Sequence, residues 1–192
     1  MNLHDFLDKG SILLDYELKS KRDNKMRMQG KIGLVTAAGS GMGKAGAIRF
    51  AKEGASVSVV DINPEAVDAV VKEIKDAGGH AIGIVADLTK DEESKRIVTE
   101  TANHFEGLDF VWNHVGYPGP ASIEGIEMKD FELTLDLNLR TILVTTEAAL
   151  SEFRIRGGGT LLYTASSSGL MGSGFSPVYS MVKFGVVGFV KA

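Results

Sequence analysis

The chain has 192 residues, a formal net charge of −4 and no cysteine. That length suits one domain with a substantial core, and the acidic balance without a dense Lys/Arg block argues against a nucleic-acid surface. The missing thiols exclude disulfides, thiolate metal sites and cysteine nucleophiles; no metal site is expected. At 44% hydrophobic and 24% charged residues the composition is ordinary for a globular protein.

Residues 1–28 mix Asp5, Asp8, Asp15, Glu17 and Asp23 with Lys19, Lys21, Arg22, Lys25 and Arg27. Neither a transit peptide nor a secretion signal has that order. The stretch is read as an appendage with a short helix over 11–18, leaving 29–192 as the domain. No apolar run approaches the roughly 20 residues needed to cross a bilayer, so no membrane partner and a cytoplasmic location are expected. Five β-branched or apolar runs then follow, at 31–37, 56–60, 81–86, 108–113 and 160–165. Helical patterns separate them, which predicts an α/β fold with a doubly wound parallel sheet buried on both faces.

Helix ends are legible between the strands. Asn63-Pro64 offers an N-cap with proline at the first helical position, and Gly78-Gly79 closes that helix. Thr89 with Glu92 predicts a capping box for the next one. A longer helix is expected over much of 128–153. Ser176-Pro177 opens the last, with Tyr179 in its first turn. Five strands fall short of the six usual for such a nucleotide-binding sheet, so the last strands are expected to be missing from this chain.

The segment Thr36-Ala37-Ala38-Gly39-Ser40-Gly41-Met42-Gly43 follows the first strand and opens a helix. Gly41, Gly43 and Gly46 fit G-x-G-x-x-G, and Asp61 ends the second strand 18 residues beyond Gly43. Glycines let the backbone approach a pyrophosphate at a helix N-terminus. The candidate dinucleotide contacts here are Ser40, Gly41, Met42 and Gly43. Asp61 would accept from the ribose hydroxyls and repel a 2′-phosphate. Ile62 follows where an arginine would clamp one, so NAD is expected rather than NADP. Lys44 speaks the other way.

Further along, Tyr179 and Lys183 stand one helical turn apart, with Ser166-Ser167-Ser168 upstream. Free tyrosine titrates near ~10, and a neighbouring ammonium favours the phenolate. Together these residues resemble the short-chain dehydrogenase/reductase family from about Lys31 to Ala192. Thr36, Gly41 and Gly43 match the family's T-G-x-x-x-G-x-G, with Ala37 in place of its first glycine. Asn113-His114-Val115-Gly116 matches its N-N-A-G at Asn113 and Gly116. Asp87, next to Leu88, matches the acid near the adenine. Asn138 matches the helix asparagine, and Ser166, 13 residues before Tyr179, the catalytic serine.

The resemblance implies hydride transfer between a dinucleotide and an alcohol or ketone. Tyr179 would exchange the proton, Lys183 would tune it and hold the nicotinamide ribose, and Ser166 would steady the substrate oxygen. Asn138 would anchor a water, and Ile62, Leu88, Asn113, Val115 and Gly116 would complete the cofactor contacts. Leu170, Met171, Phe175 and Tyr117 would give the substrate apolar walls. A 3-oxoacyl thioester reductase using NADP, or a dinucleotide-binding module without turnover, are the alternatives; a nucleotide-sugar epimerase is disfavoured by its glycine spacing. A homodimer or homotetramer is implied, with Phe184, Val187 and Phe189 serving either that contact or the core.

Overall fold

The computed structural model describes residues 26–192; the helix expected over 11–18 lies outside them. Five parallel strands, β1 (Ile32–Thr36), β2 (Ser56–Asp61), β3 (His80–Val85), β4 (Phe110–Asn113) and β5 (Thr160–Tyr163), form one sheet in the order 3-2-1-4-5. The helices are α1 (Gly41–Lys52), α2 (Pro64–Asp76), α3 (Asp91–Phe105), α4 (Met128–Leu135), α5 (Thr141–Arg156) and α6 (Pro177–Lys191).

Alternation along β1 explains the layering. Leu34 packs on one face with Ile97, Val98, Ala149 and Phe153 of α3 and α5. Val35 packs on the other with Ala47, Ala51, Val70 and Ile74 of α1 and α2. Successive strand residues point to opposite faces, so a continuous apolar run is what a sheet covered on both sides requires. From β1 the chain winds out one way to β2 and β3, then returns to add β4 and β5 on the other side. Ligands bind at such a reversal, beyond the carboxyl ends of the strands.

Local signals decide several boundaries. The Asn63 side chain accepts from Ala66 N at 2.9 Å, with Pro64 in the first turn, and Gly78 closes α2 at φ +80°. The expected capping box does not form. Helix α3 starts after Lys90 without a side-chain cap, because the Thr89 hydroxyl and amide both go to the Asp87 carboxylate, at 2.7 and 3.1 Å. The long helix expected over 128–153 is interrupted by a π-helical turn at Asp136–Arg140. There the Asn138 side chain donates to the Thr134 carbonyl at 2.9 Å. That oxygen, four residues back, is the one a regular helical amide would take.

The described part of the expected appendage sits on the domain. Met28 N donates to Glu53 O at 2.8 Å, and the Arg27 guanidinium pairs with the Glu53 carboxylate at 3.0 Å. Among the described residues no helix is long and apolar enough to cross a membrane.

Candidate active site

A cavity of about 440 Å³ opens beyond the carboxyl ends of the strands, lined among others by Ala37, Asp61, Ile62, Asp87, Leu88 and Val115. The larger cavity, about 540 Å³, lies at the opposite strand ends between Phe50, Phe110 and Gly158, away from every candidate chemical group. Five residues picked from sequence for cofactor contact thus share one wall. Thr89, Leu133 and Leu137 also line it. Sequence reasoning missed them, although the four-residue spacing of the two leucines puts them on one helix face.

The glycine turn is built by close approach. Ala37 adopts φ +51°, a left-handed conformation that favours glycine, and its carbonyl turns toward α1. A Cβ at Gly43 would overlap that carbonyl, and one at Gly46 would overlap the Trp112 ring. Gly46 is therefore a packing glycine. Thr36 ties the turn to the β4 exit, its hydroxyl accepting from His114 N and Val115 N at 2.9 and 3.0 Å. At the start of α1 the Ser40 side chain makes no capping hydrogen bond and the first turn carries no acid. By contrast α3 opens on Asp91, Glu92 and Glu93. A helix start with free amides and no carboxylate suits an anion.

At the rim, the Asp61 carboxylate is held in place. Oδ2 accepts from Gly39 N at 2.9 Å and Oδ1 from Asn63 N at 3.2 Å. Lys44 is engaged in an ion pair with Glu73 at 2.8 Å. The two Thr89 hydrogen bonds hold the Asp87 carboxyl below its ordinary pKa, so this wall carries fixed negative charge. Ile62 and Met42 are exposed, and both flank the turn.

The catalytic candidates converge behind the β4 exit. Lys183 is only 2% exposed; its Nζ donates to Thr164 O at 2.8 Å and lies 5.4 Å from the centre of the Tyr179 ring. Burial pushes the Lys183 pKa down. The Ser166 hydroxyl accepts from Ser168 N at 3.1 Å, which leaves its hydrogen free to donate elsewhere. The turn Ser167–Gly169 then packs on α6, where a Cβ at Gly169 would lie 2.5 Å from the Lys183 carbonyl. Asn138 commits both amide hydrogens, to Tyr117 O at 2.7 Å and to Thr134 O. Its buried Oδ1 accepts from no group among the described residues. A Cβ at Gly116 would sit 2.9 Å from that oxygen and 3.3 Å from Lys183 Nζ. An unused acceptor and an ammonium with spare hydrogens thus face the same glycine.

Asn113 does not join this group. Its Oδ1 accepts from Thr145 on α5 at 2.7 Å, and its carbonyl accepts from Thr164 N at 3.0 Å. It is 1% exposed, and its buried Nδ2 has no partner among the described residues. Phe184 and Phe189 are 46% and 39% exposed, so neither is core within this chain. The Phe189 ring stands nearly perpendicular to that of Tyr163, with centroids 5.8 Å apart.

The model of the short chain dehydrogenase family matches residues 31–192. The chain belongs to that family of oxidoreductases. It is 34% identical over 86% of its length to cyclohexanol dehydrogenase of an Acinetobacter strain, covering 66% of that protein. Among solved structures it resembles a 7α-hydroxysteroid dehydrogenase complexed with NADH and 7-oxo glycochenodeoxycholic acid. The TM-score is 0.83 at 30% identity, over 87% of this chain and 65% of that one. It also resembles a Burkholderia cenocepacia short chain dehydrogenase in complex with NADP, with TM-score 0.79 and 30% identity, over 85% and 66%. The chain thus spans about two thirds of the length of these relatives, which include proteins bound to either nicotinamide dinucleotide.

Proposed function

We propose that this chain carries the active site of an NAD-dependent dehydrogenase that interconverts a secondary alcohol and its ketone. The observation that carries the reading is the buried Lys183 ammonium, held against Tyr179 and facing the unused Asn138 oxygen across Gly116. A buried charge without an ionic partner is costly, and a fold keeps one where chemistry uses it. The residues present fit a dinucleotide. The acid-free start of α1 would take the pyrophosphate, Asp61 the adenosine ribose hydroxyls, and Lys183 the nicotinamide ribose. When bound, such a cofactor supplies the hydride acceptor or donor.

The chain's own groups handle the substrate oxygen. Tyr179 passes a proton to or from it, and the nearby ammonium stabilises charge on the phenol oxygen as the proton leaves. Ser166, which accepts from Ser168 N, keeps its hydrogen to donate toward the substrate oxygen and so steadies charge developing there. The free hydrogens of Lys183 and the free acceptor of Asn138 suit a small hydroxyl-bearing group, such as water, that passes protons onward. Apolar Leu170, Met171 and Phe175 project from the segment after Gly169 and favour a substrate with an apolar body. Phe184 and Phe189 on α6 support a contact with a second copy.

Preference for NAD rests on Asp61 and on the engagement of Lys44 with Glu73. Titrating NADH and NADPH by nucleotide fluorescence tests it, with NADH expected to bind more tightly; tighter NADPH binding overturns the assignment and favours a thioester reductase. Tyr179→Phe should lose about 10²- to 10⁴-fold in turnover while still binding NADH. Unchanged turnover removes the proton-transfer role.

A further inference from the structure

His114 stands where the family motif has its second asparagine, and nothing in the proposed chemistry uses it. We infer that His114 is a positioning residue for Lys183, acting through Thr164. The inference rests on the reading of Lys183 as the cation that serves Tyr179.

Thr164 is the first residue beyond β5, and it is held from both ends. Its hydroxyl accepts the indole N–H of Trp112 at 3.0 Å and lies 2.8 Å from His114 Nδ1. Its carbonyl receives Lys183 Nζ. An indole nitrogen only donates, and a hydroxyl has one hydrogen to give. Trp112 takes one of the two lone pairs of the Thr164 oxygen, and the same hydroxyl shares a second hydrogen bond with His114 Nδ1. Burial and the Lys183 charge both push the His114 pKa down, which favours the neutral imidazole.

The ring packs on Trp112 with centroids 4.8 Å apart, and its Cδ2 lies against the glycine turn, 2.9 Å from where a Cβ at Gly43 would stand. His114 therefore fills the space between the glycine turn and the Thr164 peptide. Its backbone amide is fixed as well, by Thr36. Lys183 makes no ion pair among the described residues, and the Thr164 carbonyl is the protein acceptor that sets where its ammonium sits. The direction of that carbonyl follows the Thr164 side chain, and hence His114 and Trp112. The same imidazole touches the turn that would hold the pyrophosphate, so it ties the placement of the two ends of a dinucleotide together.

The test compares His114→Asn, Thr164→Val and the double variant in the full chain, each checked for folding by circular dichroism. Thr164→Val keeps the shape and the carbonyl but loses the hydroxyl, and so covers the case in which His114→Asn does not fold. The first readout needs no turnover: the titration of Lys183 Nζ followed by ¹⁵N NMR. Both single variants should shift its midpoint in the same direction, the double variant should add nothing, and Thr164→Ser should restore the original value. In the activity assay kcat should fall about tenfold or more, with KM for the alcohol unchanged.

An unmoved Lys183 titration in both single variants overturns the inference, as do additive effects in the double variant. Tyr179→Phe run alongside separates the two readings. If it is silent, the dehydrogenase assignment fails, and the Lys183 titration still decides the role of His114.

Discussion

Ala37 occupies a backbone position that an L-residue enters at a cost of roughly 1–2 kcal/mol. The turn nevertheless closes, because Gly43 lets the Ala37 carbonyl approach and because Thr36 fixes the strand exit beside it. Ala37→Gly should relieve that strain. Glycine also gives the unfolded chain more freedom, worth about 0.4–1 kcal/mol against the fold. A net gain of about 0.5–1 kcal/mol is therefore expected from urea denaturation; a loss of stability would mean that the αL conformation is not held in solution. The substitution was visible in the sequence, and the strain was not, since a motif match says nothing of φ. Asn113 shows the same limit: it matched a motif that said nothing of the pairing between its Oδ1 and Thr145, on a helix 32 residues away in sequence. Such long-range pairing leaves no trace in local pattern.

Among the elements, β1, β2 and α2 were readable because each signal was local: unbroken apolar runs, an Asn-Pro start, a Gly-Gly stop. The π-helical turn was not. It arises from one side-chain amide competing for a backbone carbonyl, and the periodicity on either side continues through it. Thr89 was misread for a similar reason, since Asp87 two residues earlier competes for the same hydroxyl. The end of α1 supplies a prediction at this scale. Arg27 hydrogen-bonds Glu53 and holds its carboxyl down to about 2, while Arg49 pairs with the same group. With the folded pKa below the ordinary 4.5, the unfolded chain binds the proton more readily. The contribution is present above pH 4.5 and is lost as pH falls toward about 2. Urea midpoints measured between pH 5 and 2 should fall less steeply in Glu53→Gln than in the parent chain. Equal slopes would show that the 27–53 contact does not persist in solution.

Across the whole molecule, stability and the proposed chemistry pull against one another at Lys183. Its folded pKa lies below the ordinary 10.5, so the unfolded chain holds that proton more tightly. Folding stability should accordingly rise with pH through the folded value toward 10.5. Lys183→Met removes the buried charge at similar length. It should raise the melting temperature at pH 7 by about 2–4 °C, the shift expected for ~1 kcal/mol in a chain of this size, and flatten the alkaline rise. It should also abolish turnover. A lower melting temperature would mean that the Thr164 hydrogen bond outweighs the burial penalty.

The seating of Trp112 against Gly46 reaches further than packing. A methyl group at Gly46 would displace the indole, and the indole steadies Thr164. The outer lip of the cleft, at Asp61 and exposed Ile62, is tied instead to the glycine turn, through Gly39 N. A side chain at Gly46, by contrast, would be felt at the Thr164 carbonyl that holds Lys183, two steps away through the indole.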